Sequence, residues 1–148
     1  MTVLAGGFAM DFPALNADQL FQLAVEVEDY PQFIPGCIAA RVRRRDGNRL
    51  VVDNHFGAGP IEMRFCSEAE ADPPHRLVIT AADQPFRSFR LEWSFDEAPA
   101  GGCRVTAFYE MELNSPLLNG LARFAMPELE RRVANRFRER ARKVFGVG

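Results

Sequence analysis

RSFRLEWSFD, residues 87–96, is the stretch whose reading decides the fold. Phe89, Leu91, Trp93 and Phe95 fall on one side of an extended chain, and Arg90, Glu92, Ser94 and Asp96 on the other. Successive side chains of a strand point to opposite faces, so this segment buries one face and wets the other, as strands of antiparallel sheets do. Residues 103–113 repeat the pattern: Cys103, Val105, Ala107, Tyr109, Met111 and Leu113 oppose Arg104, Thr106, Phe108, Glu110 and Glu112. Working outward, the same period predicts strands over Arg49–Phe56, Ile61–Glu70 and Arg76–Ala81. Between them lie Asp46-Gly47-Asn48, Gly57-Ala58-Gly59-Pro60, Asp72-Pro73-Pro74, Asp83-Gln84-Pro85 and the Gly-rich 98–102, all turn chemistry. The apolar opening TVLAGGFAMDFP predicts an edge strand, weakened by Gly6 and Gly7.

Helical patterns flank this sheet. Asn16 and Gln19 have the spacing of a capping box, and Leu20, Phe21, Leu23, Ala24 and Val27 follow at helical intervals. That helix is expected to end near Asp29, because Tyr30 precedes Pro31 and is biased toward extended geometry. Pro31 and Pro35 bracket Phe33 and Ile34 in a stiff turn. From Ser115 the apolar residues recur every fourth position: Leu117, Leu121, Ala125, Leu129, Val133, Phe137, Ala141 and Phe145. A helix from Pro116 to Gly146 would run about 46 Å. Ser115 and Pro116 open it as cap and first residue, Gly146 closes it, and Pro127 is expected to kink or break it. A curved antiparallel sheet gripped by one long C-terminal helix is thus an α+β, helix-grip architecture, one domain over residues 1–148.

The chain has 148 residues with a net charge of −2, which excludes a global nucleic-acid footprint, and DNA with it. Charge is unevenly placed. From Pro116 onward seven arginines and Lys143 face only Glu128, Glu130 and Glu139. Arg131, Arg132, Arg136, Arg138, Arg140, Arg142 and Lys143 make either the solvated face of a helix or a patch for phosphates. Cys37, Cys66 and Cys103 are too dispersed for a metal hook or a disulfide framework, which reads as a reducing compartment. The first basic residue is Arg41, so no basic leader is legible, and no apolar run reaches the length of a membrane span. The expected location is the cytoplasm, with a peripheral position on the inner membrane also compatible.

No metal site and no catalytic set emerges. His55 and His75, the two histidines, stand apart, and no nucleophile elbow or phosphate loop is present. The carboxylate pairs Glu68/Glu70 and Glu110/Glu112 share strand faces that read as wet. Inward candidates for acid–base work are His55, Tyr109 and Arg64, and choosing Phe56 as the inward residue of its strand sends His55 outward. Thirteen phenylalanines and five methionines serve either a packed core or the walls of an apolar cavity between sheet and helix. The cavity's expected lining is Phe33, Ile34 and Phe56 near the proline turn, Met63, Phe65, Phe89, Trp93 and Met111 on strands, and Leu121, Leu129 and Val133 on the helix.

Three segments resemble one family in order along nearly the whole chain. VEVEDYPQFIPGC (25–37) is similar to the acidic-Tyr-Pro-x-Phe-aliphatic-Pro signature of coenzyme Q-binding START-domain proteins. QPFRSFRLEWSF (84–95) resembles their Gly-Pro-Phe and Leu-x-Trp-x-Phe strand pair, and FRERARKVFG (137–146) their tail. The family, grouped with polyketide cyclase/dehydrase-like proteins, includes bacterial ribosome association toxins. Two departures stand out: Gly36 where the family often has Trp, and Gln84 where it has Gly. The resemblance implies a helix-grip domain whose cavity carries an isoprenoid such as ubiquinone, with no covalent cofactor and no turnover. Its alternative is a ribosome-binding toxin using the basic tail on rRNA, and a third reading, behind both, is an aromatase/cyclase.

Overall fold

A computed structural model describes residues 3–58 and 60–146. The predicted strands, joined by one the alternation did not mark, Cys37–Asp46, pair as β1 (Leu4–Phe12), β2 (Cys37–Asp46), β3 (Arg49–Ala58), β4 (Ile61–Asp72), β5 (Arg76–Ala81), β6 (Phe86–Glu97) and β7 (Cys103–Leu113). All neighbours are antiparallel, in the order β1-β7-β6-β5-β4-β3-β2. Register matches the alternation: Phe89, Leu91, Trp93 and Phe95 stand opposite Met111, Tyr109, Ala107 and Val105. Edge strand β2 carries Arg41, Arg43, Arg44 and Arg45 and two register shifts, which discourage pairing with another chain.

The capping box is present, Asn16 and Gln19 bonding each other's backbone at 2.9 Å ahead of α1 (Ala17–Val25). The chain past it corrects the expected boundary. The α-helix stops at Val25, and Val27–Gln32 continues as a 3-10 helix that contains both Tyr30 and Pro31. Burial outweighs the bias of a residue before proline: Tyr30 is buried, its hydroxyl donates to Ala24 O at 2.5 Å, and its ring packs edge-on against Phe33.

Helix α2 (Pro116–Phe145) begins with the Ser115 side chain accepting from Leu118 N and ends at left-handed Gly146. It is one continuous helix through Pro127, so the expected break does not occur. Residues around Pro127 are largely exposed, so water can satisfy the carbonyl that proline leaves unpaired. The every-fourth-residue stripe also does not stay on one side. Four residues turn about 400°, so such a row slips roughly 40° per step. Leu117 and Leu121 are 72% and 49% exposed, Leu129 and Val133 half-buried, and Phe137 and Ala141 fully buried.

These placements divide the space between sheet and helix into two ends. At the closed end α1, the 3-10 helix and the second half of α2 seal the sheet. Phe137 sits there between Phe12, Phe33 and Trp93, while Phe21 meets Phe95 edge-on at 5.8 Å. At the other end only the first half of α2 lies over the strands.

Candidate functional site

The open end is lined by apolar side chains that face inward yet remain half-buried. Phe56 and Met63 pair across β3 and β4, Phe65 follows, and Phe89 and Leu91 continue the row on β6. Phe56 stacks on Phe65 at 5.9 Å, and Phe65 meets Phe86 edge-on at 4.9 Å. Leu118, Ala122 and Met126 of α2, like Phe65, Phe89 and Leu91 of the sheet, pack against a buried cluster that contains Phe86, Tyr109 and Met111. The half-buried inner face of these strands and the first half of α2 thus oppose each other with apolar side chains, and the space between them is the candidate cleft. A separate groove of about 490 Å³ lies where α2 begins, lined by Arg87, Glu112, Asn119 and Arg123.

The expected lining residues fall into three groups. Phe56, Met63, Phe65, Phe89, Leu129 and Val133 are half-buried, and Met111 is buried beneath them in the second cluster. Phe33 and Trp93 belong to the closed end, 4% and 2% exposed, with Ile34 packed against that cluster. Leu121 points outward, as the slip of its row requires. The proline turn reaches the cleft through Gly36, where an added Cβ would stand 3.8 Å from the Phe56 ring. Gly36 has a φ of 84°, left-handed backbone in which a Trp would be strained.

Polar groups on the inner face are few. Asn54 shares the inner side of β3 and donates to Ser67 Oγ, Val52 O and Phe65 O. Tyr109 donates to Glu130 Oε2 at 2.5 Å. Burial first, then the Glu130 bond and charge, push the Tyr109 phenol well above its usual range, so it keeps its proton. Glu130 was not legible as part of a site, because it reads as one acid in a charged tail; only its place one turn beyond Met126 carried a signal. His55 lies on the outer face bonded to Glu62 at 2.8 Å, and Arg64 is exposed on the same side. Glu112 corrects the wet-face reading: it is 8% exposed, near Arg87, although Glu68, Glu70 and Glu110 are exposed. The Cys37 and Cys103 thiols are pushed up to about 11, chiefly by burial. No group of three or more His, Cys, Asp or Glu able to hold a metal occurs among the described residues.

The basic residues of α2 separate as well. Arg132, Arg136, Arg142 and Lys143 are exposed, and Arg131 pairs with Glu128. Arg138 and Arg140 turn back onto the protein. Arg138 lies over the Phe12 ring and donates to Asp11 O. Arg140, with a side chain 16% exposed, reaches Gln32 and Asp29 and covers Phe33.

Comparison with known proteins places this geometry. The family model described as polyketide cyclase/dehydrase and lipid transport matches residues 14–138. The chain belongs to that family. The chain is 26% identical over 133 residues to the ribosome association toxin RatA of Vibrio cholerae, covering 90% of this chain and 92% of the toxin. It is 27% identical over 128 residues to the mitochondrial coenzyme Q-binding protein of Schizosaccharomyces pombe, covering 83% and 78% of the two chains. Among solved structures it is similar to the Zhui aromatase/cyclase from Streptomyces sp. R1128, with a TM-score of 0.78 at 14% identity over 97% of this chain and 96% of that one. At that identity the likeness is one of fold, the helix-grip of the START-like proteins. No helix of the described residues is long and apolar enough to cross a membrane.

Proposed function

We propose that the cleft binds a hydrophobic isoprenoid, with ubiquinone as the ligand, and that the protein carries it without turning it over. The row of half-buried apolar side chains facing α2 carries this reading. Each methylene moved from water into such a lining contributes about 0.8 kcal/mol, so a polyprenyl tail suits these walls. The similarity to a coenzyme Q-binding protein supports the choice of ligand. The polar inventory supports a carrier without turnover: His55 and Arg64 face away, and Tyr109 holds its proton. On this reading the outer face of α2 meets an anionic bilayer surface, offering exposed Leu117, Leu121 and Phe124 beside Arg123, Arg131 and Arg132. Organic extraction of the purified protein followed by mass spectrometry tests the reading. Isoprenoid quinone is expected, and its absence together with no binding of decylubiquinone would end the proposal.

A second reading has its own support. Arg132, Arg136, Arg142 and Lys143 project outward from the last four turns of α2, and relatives named ribosome association toxins cover most of the chain. A protein of that kind would place this patch on rRNA phosphates. Overexpression separates the two: growth arrest with loss of assembled ribosomes favours the toxin, and normal polysomes in healthy cells favour the carrier.

A further inference from the structure

The Tyr109–Glu130 pair sits where the cleft meets the closed end. Tyr109 lies on β7 opposite Leu91 of β6 and Gly6 of β1. Glu130 comes down from α2, one turn past Met126, whose side chain packs on the cluster that contains Tyr109. Gly6 makes the room: a Cβ there would stand 2.4 Å from Glu130 Oε2 and 2.7 Å from the Tyr109 hydroxyl. Strand β1 thus gives up a side chain where a carboxylate enters a mostly apolar face.

The chemistry of the pair is one-sided. A carboxylate only accepts hydrogen bonds, and the single tyrosine hydrogen is spent on Glu130 Oε2 at 2.5 Å. What the pair offers a ligand is lone pairs. The Asn54 amide donates to Ser67 Oγ and to two backbone carbonyls, and the Trp93 N–H lies 2% exposed beneath Phe137. We propose that Tyr109 and Glu130 form the polar subsite of the cleft and select a ring that donates hydrogen bonds, a hydroquinone, over its oxidised quinone. This rests on the reading that the cleft holds an isoprenoid ring compound. A quinone carries only acceptors, so to use the pair it must first break the Tyr109–Glu130 bond. A hydroquinone hydroxyl donates to the free lone pairs and leaves that bond intact. Bonds to a charged acceptor are the stronger kind, which makes the discrimination measurable.

Anaerobic titration of the full chain with decylubiquinol and decylubiquinone tests this. The quinol is expected to bind about tenfold more tightly. Tyr109→Phe keeps that preference, because the carboxylate remains. Glu130→Gln loses it, because an amide supplies a donor, and Glu130→Asp weakens it by drawing the carboxylate back. Circular dichroism and melting temperature, matched to the parent, confirm that each variant is folded; Glu130→Asp serves if Glu130→Gln is not. Equal affinities for the two ligands, or a preference unchanged in the folded Glu130 variants, overturns the selection while leaving the carrier reading in place. Failure of both ligands to bind overturns the two together.

Discussion

Phe137 shows how much one side chain can hold. It is fully buried, with Trp93, Phe12 and Phe33 around it at ring separations of 5.2, 6.1 and 6.2 Å. Phe137→Ala should cost about 3–5 kcal/mol, read as a lower urea midpoint with an unchanged slope, and should alter Trp93 emission. The buried thiols give a second expectation. Cys37 and Cys103 ionise near 11 in the folded chain against an ordinary 9, so the unfolded chain loses these protons first. Their contribution is complete below pH 9 and is lost as pH rises toward 11. A melting temperature flat up to pH 9 and falling above it is expected, with a shallower fall in Cys37→Ala. At this scale the sequence was legible where alternation applied: parity puts Phe56 and His55 on opposite faces, and the greater apolarity of Phe56 assigns it the inner one. Glu130 and Glu112 were not. Their burial depends on which residues of other elements stand over them, and a single chain pattern carries no record of that.

Among the elements, α2 combines the clearest and the most misleading signals. Its caps at Ser115 and Gly146 are local chemistry and could be read directly. Its apolar row could not be assigned a side, because a repeat of four drifts around a helix of 3.6 residues per turn. The drift leaves Leu117 and Leu121 outside, beside Phe124, which lies off the row and is 89% exposed. Phe124→Ser should therefore weaken sedimentation with vesicles containing phosphatidylglycerol several-fold while leaving ribosome binding unaffected. Equal losses in both assays would mean that this face does not distinguish lipid from ribosome. Pro127→Ala restores one backbone bond and is expected to raise stability by about 1–3 kcal/mol in urea denaturation.

The whole molecule is a sheet sealed at one end and covered at the other by the first half of α2 alone, and its order of elements was readable from turn chemistry except for β2, whose arginine-rich run lacks a clean alternation. Its openness was not, since the fit of one helix over seven strands is decided by tertiary geometry. One further feature bears on how the chain is made. The first strand pairs with the last, Leu4 opposite Met111 and Phe12 opposite Cys103. At roughly 5–20 residues per second, the ribosome needs on the order of 5–20 s to supply that partner after β1 has been synthesised. During that interval β1 is an orphan apolar segment that could join another nascent chain. The adjacent glycines at 6 and 7 make it a poor template for such pairing. The glycine that admits Glu130 in the finished protein therefore also helps keep the unfinished one from aggregating.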